Sequence, residues 1–248
     1  MAEVESPLTE VVCGCLVLLS YLGLLLVEAG SVRSKNVASI FTRGFVCLAL
    51  TIVIFWMFGY AFAFSTGHPF IGFWDKFGLS SVVPTELGHW FLTAAVAALP
   101  SALAAGPVAE RCHLTGHLVL ALFLAGLLFP LPAHWTMAEG GWLQERGVRD
   151  AGGALAVHAV GGVAGLVGCL LVGRRAERLV NHRALLPGHS LPLVALGGVL
   201  VSVGMVAKLV GLGGTKPGAL ATNSLLAGSS GALLAHMVFV IPVQRGQR

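Results

Sequence analysis

Seven long apolar runs, separated by short polar stretches, constrain this chain more than any other feature. They cover roughly residues 11–27, 41–64, 90–109, 118–132, 153–172, 191–212 and 220–241. About 20 apolar residues are what an α-helix needs to cross a hydrocarbon layer of about 30 Å. Inside that layer every backbone N–H and C=O must find its partner within the element, which leaves helices or closed barrels. A barrel strand would be about 10 residues of alternating character, and these runs are too long and continuous for that. The pattern therefore predicts an all-α polytopic membrane protein of about seven transmembrane helices, organised as a single membrane domain over residues 1–248. Only 10% of the 248 residues are charged and 56% are hydrophobic, where a soluble domain carries about 25% charged residues. An ordinary soluble enzyme, a nucleic-acid-binding protein and a disordered regulator are excluded. Thirty-three glycines predict helices packed at close range.

The fourth run ends in Phe129-Pro130-Leu131-Pro132, which predicts a helix break there. The N-terminus is acidic, with Glu3, Glu5 and Glu10, and lacks the basic start of a signal peptide, so the first span is read as retained. Lys/Arg bias sets direction. With the N-terminus outside, the inner segments hold Arg33, Lys35, Arg43, Arg111, Arg174, Arg175, Arg178, Arg183, Arg245 and Arg248, ten in all, against Lys76, Arg146, Arg149 and Lys216 outside. An N-out, C-in chain is predicted. Cys13, Cys15, Cys47 and Cys169 lie in apolar runs and Cys112 in an inner loop, a distribution without a disulfide framework or a metal-binding pair.

The segment most suggestive of chemistry runs from Asp150 to Arg175, DAGGALAVHAVGGVAGLVGCLLVGRR. Asp150 is placed to cap a helix N-terminus, where backbone N–H groups and the helix dipole favour an anion. His158 follows eight residues later, about 12 Å along if the whole stretch is helical. That depth approaches mid-membrane, flanked by Gly161, Gly162, Gly165 and Gly168. An ionisable residue there is a functional candidate, and imidazole can relay a proton near neutral pH. A structural histidine bonded to a neighbouring helix fits the same pattern, and chemistry alone leaves both readings open.

In this order along the chain, several segments resemble the ammonium transporter (Amt/Mep/Rh) family. They are Ala29-Gly30-Ser31-Val32-Arg33-Ser34-Lys35-Asn36, the stretch WMFGYAFAF from Trp56 to Phe64, Pro69-Phe70-Ile71-Gly72, Gly106-Pro107-Val108-Ala109-Glu110-Arg111, Pro132-Ala133-His134-Trp135, Gly140-Gly141-Trp142-Leu143 and the Asp150/His158 span itself. The resemblance covers about residues 16–175, with a weaker tail to about 241. It implies a fold of eleven spans whose first ten form two inverted five-span repeats around a pore. It also implies a homotrimer with one pore per subunit, in the plasma membrane. Ammonium is then recruited at an outer vestibule supported by Asp150, and crosses as ammonia and a proton past a pair of pore histidines, of which His158 matches the first. No cofactor, metal or nucleic-acid partner is implied, and the chain is not expected to be an enzyme.

The departures from that pattern are equally specific. The two stacked vestibule phenylalanines of span three correspond to Leu92 and Val96, and the vestibule tryptophan of span four corresponds to Met137. None of these side chains offers the aromatic face that attracts a desolvating cation. The gate aromatic of span six corresponds to Lys208, which either snorkels to the interface or places a charge in the vestibule, paired with Asp150 or Glu139. The second pore histidine belongs to a tenth span with no counterpart among these seven. The chain thus reads as the first five-span repeat plus two spans of the second, and a non-conducting structural or regulatory subunit is the alternative function. Glu110, His113 and His117 share a helical face by spacing, read as a solvated loop face rather than a metal site. His134 reads as packing beside the Pro130/Pro132 break, and His68, His89, His182 and His189 as loop residues.

Overall fold

The computed structural model describes residues 7–73, 75–175, 187–213 and 216–240. Glu3, Glu5, Arg178, His182, Arg183, Arg245 and Arg248, used above for termini and inner loops, lie outside the described residues. Six helical stretches are long and apolar enough to cross a membrane: Pro7–Ser31, Ser34–Phe64, Pro84–Val108, Leu114–Met137, Ala154–Val172 and Leu191–Leu212. The seventh run is helical too, over Pro217–Ala235 with a π turn at His236–Val240. Thr222, Asn223, Ser224, Ser229 and Ser230 dilute its apolar character, and no residue of Pro217–Ala235 is buried. The chain is an all-α membrane protein whose described strands are confined to a two-residue hairpin ladder, Gly67–His68 against Ile71–Gly72.

The third span is the axle of the bundle: 78% of its apolar window is buried, against 22–39% for the other five. Its alanine-rich sequence, LGHWFLTAAVAALPSALAA from Leu87 to Ala105, presents small side chains on every side and admits neighbours all round. Span five seats its glycines on it. A Cβ on Gly161 would lie 3.1 Å from the Pro100 carbonyl oxygen, one on Gly165 3.2 Å from Pro107 Cγ and one on Gly168 3.1 Å from Val108 Cγ1, whereas Gly162 faces nothing within 4 Å. Spans one and six make the longest helix–helix contact, and glycine lets their backbones touch. A Cβ on Gly23 would lie 2.7 Å from the Gly197 carbonyl oxygen, and one on Gly197 2.6 Å from that of Gly23. Small residues at such crossings are how membrane helices gain contact where no hydrophobic driving force separates helix from lipid.

Span four corrects the break expected at Pro132, since its helix runs on to Met137. A π turn at Leu124–Leu128 precedes the prolines, with Phe129 N donating to Leu124 O at 2.9 Å. Pro130 then stands in the first turn of the resumed helix, where its lack of an N–H costs nothing. Span two carries a matching π turn at Phe55–Gly59, and the two meet where Gly59 faces the Ala125 carbonyl without a side chain between.

Candidate functional site: the Asp150–His158–Lys208 end of the bundle

Span five begins at Ala154, within one residue of its apolar run, but later than an ordinary cap at Asp150 implies. Gly152 and Gly153 adopt left-handed backbone, φ 68° and 75°, and the helix proper starts with a π turn at Ala154–Ala159. Asp150 reaches across this glycine turn. Its carboxylate accepts from Leu155 N at 3.0 and 3.1 Å and from Ala156 N at 3.0 Å. The cap therefore spans five and six residues rather than the two or three of an ordinary N-cap. His158 consequently lies four residues past the first helical residue, about 6 Å along the axis, half the depth that a continuous helix from Asp150 would give it.

Lys208 occupies the neighbouring helix. It is 2% exposed, which corrects the snorkelling reading, and its Nζ lies 2.7 Å from His158 Nε2. An ammonium group has three donors and no acceptor. At this distance Lys208 donates and Nε2 accepts, which leaves the ring proton of His158 on Nδ1. Neither Asp150 nor Glu139 forms an ion pair with Lys208 among the described residues. The register that brings Lys208 here is fixed by two glycine contacts. Gly152 leaves room for Leu209, whose Cγ would lie 3.0 Å from a Cβ there, and Gly211 packs where a Cβ would meet Leu92 Cδ2 at 2.8 Å.

Asp150 also borders an open cavity of about 470 Å³ whose lining includes Met137, Glu10, His89, Arg149 and Gln144. Met137 is half-buried on its wall. Leu92 and Val96, by contrast, are fully buried at 0% exposure in the core cluster with Cys13, Val17 and Phe129, and do not line it. Apart from Asp150, the cavity's polar residues are not apparent from the sequence. His89, assigned to a loop, sits in the first turn of the span-three helix, with Nδ1 3.4 Å from Glu10 Oε1 and its ring edge-on to Phe64 at 4.9 Å. Aromatics do gather at this end, but elsewhere. Trp135 donates from Nε1 to Phe70 O at 2.8 Å and meets Trp142 edge-on at 6.0 Å, while Arg146 covers the Trp142 ring at 5.2 Å. His134 is buried, its nitrogens 2.9 Å from the carbonyl oxygens of Ala63 and His68, so it fastens the hairpin loop to span four.

Two polar clusters mark the opposite half of the bundle. Glu110 and His117 do not share a solvated face. The Glu110 side chain is 1% exposed and accepts at Oε1 from Arg33 N and Nε at 3.2 Å and from Asn36 Nδ2 at 2.8 Å. Arg175 lies 3.1 Å from Oε2 as an ion pair without hydrogen-bond alignment. Burial alone raises the Glu110 carboxyl, but these bonds outweigh it and hold it below the ordinary glutamate value. His117 is buried in span four, with Nε2 3.0 Å from Arg43 Nη1. Arg43, counted above among inner basic residues, is itself buried at 5% exposure and paired through Nη2 with Glu28 of span one. Among the described residues no group of three or more His, Cys, Asp or Glu could hold a metal ion.

The architecture and the sequence have close counterparts. The model of the ammonium transporter family matches residues 8–242. Ammonium transporter 1 member 3 of Solanum lycopersicum is 34% identical over 205 residues, covering 76% of this chain and 44% of that protein. Ammonium transporter 3 of Dictyostelium discoideum is 32% identical over 181 residues, covering 71% of this chain and 41% of that protein. Among solved structures, a sensor Amt protein superposes with a TM-score of 0.84 at 25% identity, over 94% of this chain and 62% of that one. Candida albicans Mep2 shares the fold with a TM-score of 0.74 over 83% of this chain and 47% of its own. The chain spans less than half the length of the two transporters named first. With nearly its whole length matched by one family model and its helices arranged as in Amt and Mep structures, the chain belongs to the ammonium transporter family.

Proposed function

We propose that this single membrane domain handles ammonium across the plasma membrane, with its N-terminus outside and its C-terminus inside, as one subunit of a homotrimer. It acts as a transporter rather than an enzyme. In this reading the cavity beside Asp150 receives the ion. Asp150 fixes the start of span five and adds negative potential, and His158 accepts the proton as ammonia moves on. The observation that carries the reading is the Asp150 cap on the helix turn that presents His158. The cap fixes the turn that carries the imidazole, and a relay requires such fixed placement.

A second reading, a non-conducting structural or regulatory subunit, draws on one specific observation: the Nε2 lone pair of His158 already accepts from Lys208. Leu92, Val96 and Met137 at the family's vestibule positions favour it as well. Liposomes containing the full chain, given an inward ammonium gradient, separate the two. Current or internal pH change that disappears in His158→Ala supports transport past His158. Flux unaffected by His158→Ala removes that role, and absence of flux in the unaltered chain favours the second reading.

A further inference from the structure

We propose that Lys208 is a tethered ammonium: it occupies the acceptor site on His158 that a travelling ammonium ion would use, and so determines whether His158 is open to substrate. This rests on the reading that ammonium enters beside Asp150. The chemistry is one of identity. A lysine head group and a free ammonium ion are both tetrahedral nitrogen cations that carry only donors. His158 offers one lone pair, on Nε2, and Lys208 Nζ holds it at 2.7 Å. Occupation is therefore exclusive.

The lysine is built into this position. It is 2% exposed, so bulk water does not compete for its head group. No carboxylate draws it away within ion-pair distance among the described residues. Leu209 seats over Gly152 and Gly211 against Leu92, the register of span six that places Lys208 beside His158. A seat occupied by its own side chain nine times in ten binds an outside ligand about tenfold more weakly, since apparent affinity scales with the open fraction.

The test uses the full chain in nanodiscs, with ¹⁵N-labelled histidine and ¹³C-methyl methionine, titrated with ammonium chloride against choline chloride. The Met137 methyl reports on the cavity and the His158 Nε2 resonance reports on the seat. Lys208→Met and Lys208→Gln are compared with the unaltered chain, each after its thermal melt shows a folded protein. The expected result is a Met137 response in all three, with His158 responding in both variants at an ammonium concentration at least about tenfold lower than in the unaltered chain. Equal His158 responses with and without Lys208 would overturn the proposal. So would a silent His158 in both variants while Met137 responds, an outcome that leaves the ammonium reading standing. Silence of both reporters in every protein would overturn the ammonium reading along with it.

Discussion

Arg43→Met is the substitution whose cost the structure specifies best. The Arg43 and Glu28 side chains are each 6% exposed, so removing the guanidinium leaves a carboxylate with neither water nor a counter-charge. Breaking a buried pair from one side costs about 3–5 kcal/mol. His117 Nε2 loses its partner at the same time, and an unsatisfied buried acceptor adds about 1–3 kcal/mol. Glu28→Leu should be costly for the reciprocal reason. The double variant Glu28→Leu/Arg43→Met should recover most of the loss, because a buried ion pair replaced by apolar groups of similar volume is about neutral. Reversible unfolding in mixed micelles with increasing dodecyl sulfate gives the three free energies, and the double-mutant cycle isolates their coupling. The reasoning fails if Arg43→Met costs less than about 1 kcal/mol, or if the two single losses simply add.

Gly197→Leu should separate spans one and six, because its Cβ would lie 2.6 Å from the Gly23 carbonyl oxygen. The expected loss is about 1–3 kcal/mol or more, and cysteine cross-linking efficiency between the two spans should fall with it. Asp150→Ala removes the acceptor for Leu155 N and Ala156 N. It should cost about 0.5–2 kcal/mol, read in the same micelle titration, and weaken the ammonium response of the cavity. The Glu110 carboxyl lies below its ordinary value of 4.5 when folded. Its contribution should therefore be complete above that value and be lost as pH falls through the lower folded one. Melting temperature measured down the acid range should drop less steeply in Glu110→Gln.

What the sequence disclosed and what it concealed divide along the range of the interactions. Apolar runs, the Asp150 cap and the family resemblance are local, written in contiguous residues, and could be found by inspection. The depth of His158 is not legible in the sequence because two glycines take positive φ between the cap and the helix, so eight residues give only about one turn of rise before the imidazole. Pro130 and Pro132 signal a break only when the preceding turn is α-helical, and a π turn shifts the prolines to a helix start. Lys208 was harder still. Its partner lies 50 residues away on another span, and only the register of span six against the Gly152 turn decides whether its ammonium points to water, to a carboxylate or to an imidazole. Arg43 counted as an inner charge for the same reason, its partner Glu28 being on a different helix.

The Glu28–Arg43 pair bears on how the chain enters a membrane at all. The two residues sit on opposite arms of the first helical hairpin, 15 positions apart. Delivered singly to the bilayer, a charged side chain costs up to about 2.5–3.5 kcal/mol at the centre of a span on insertion scales. The cost is less toward the ends, where Glu28 stands close to the end of Pro7–Ser31 and Arg43 in the first third of Ser34–Phe64. Delivered as a closed hairpin, the two charges enter as a neutral pair. Spans one and two should therefore leave the translocation channel laterally as one unit, after Arg43 has been synthesised and before span four supplies His117. A ribosome-stalled nascent chain should retain span one beside the channel until the second arm emerges, and release it early when Glu28 is replaced by leucine.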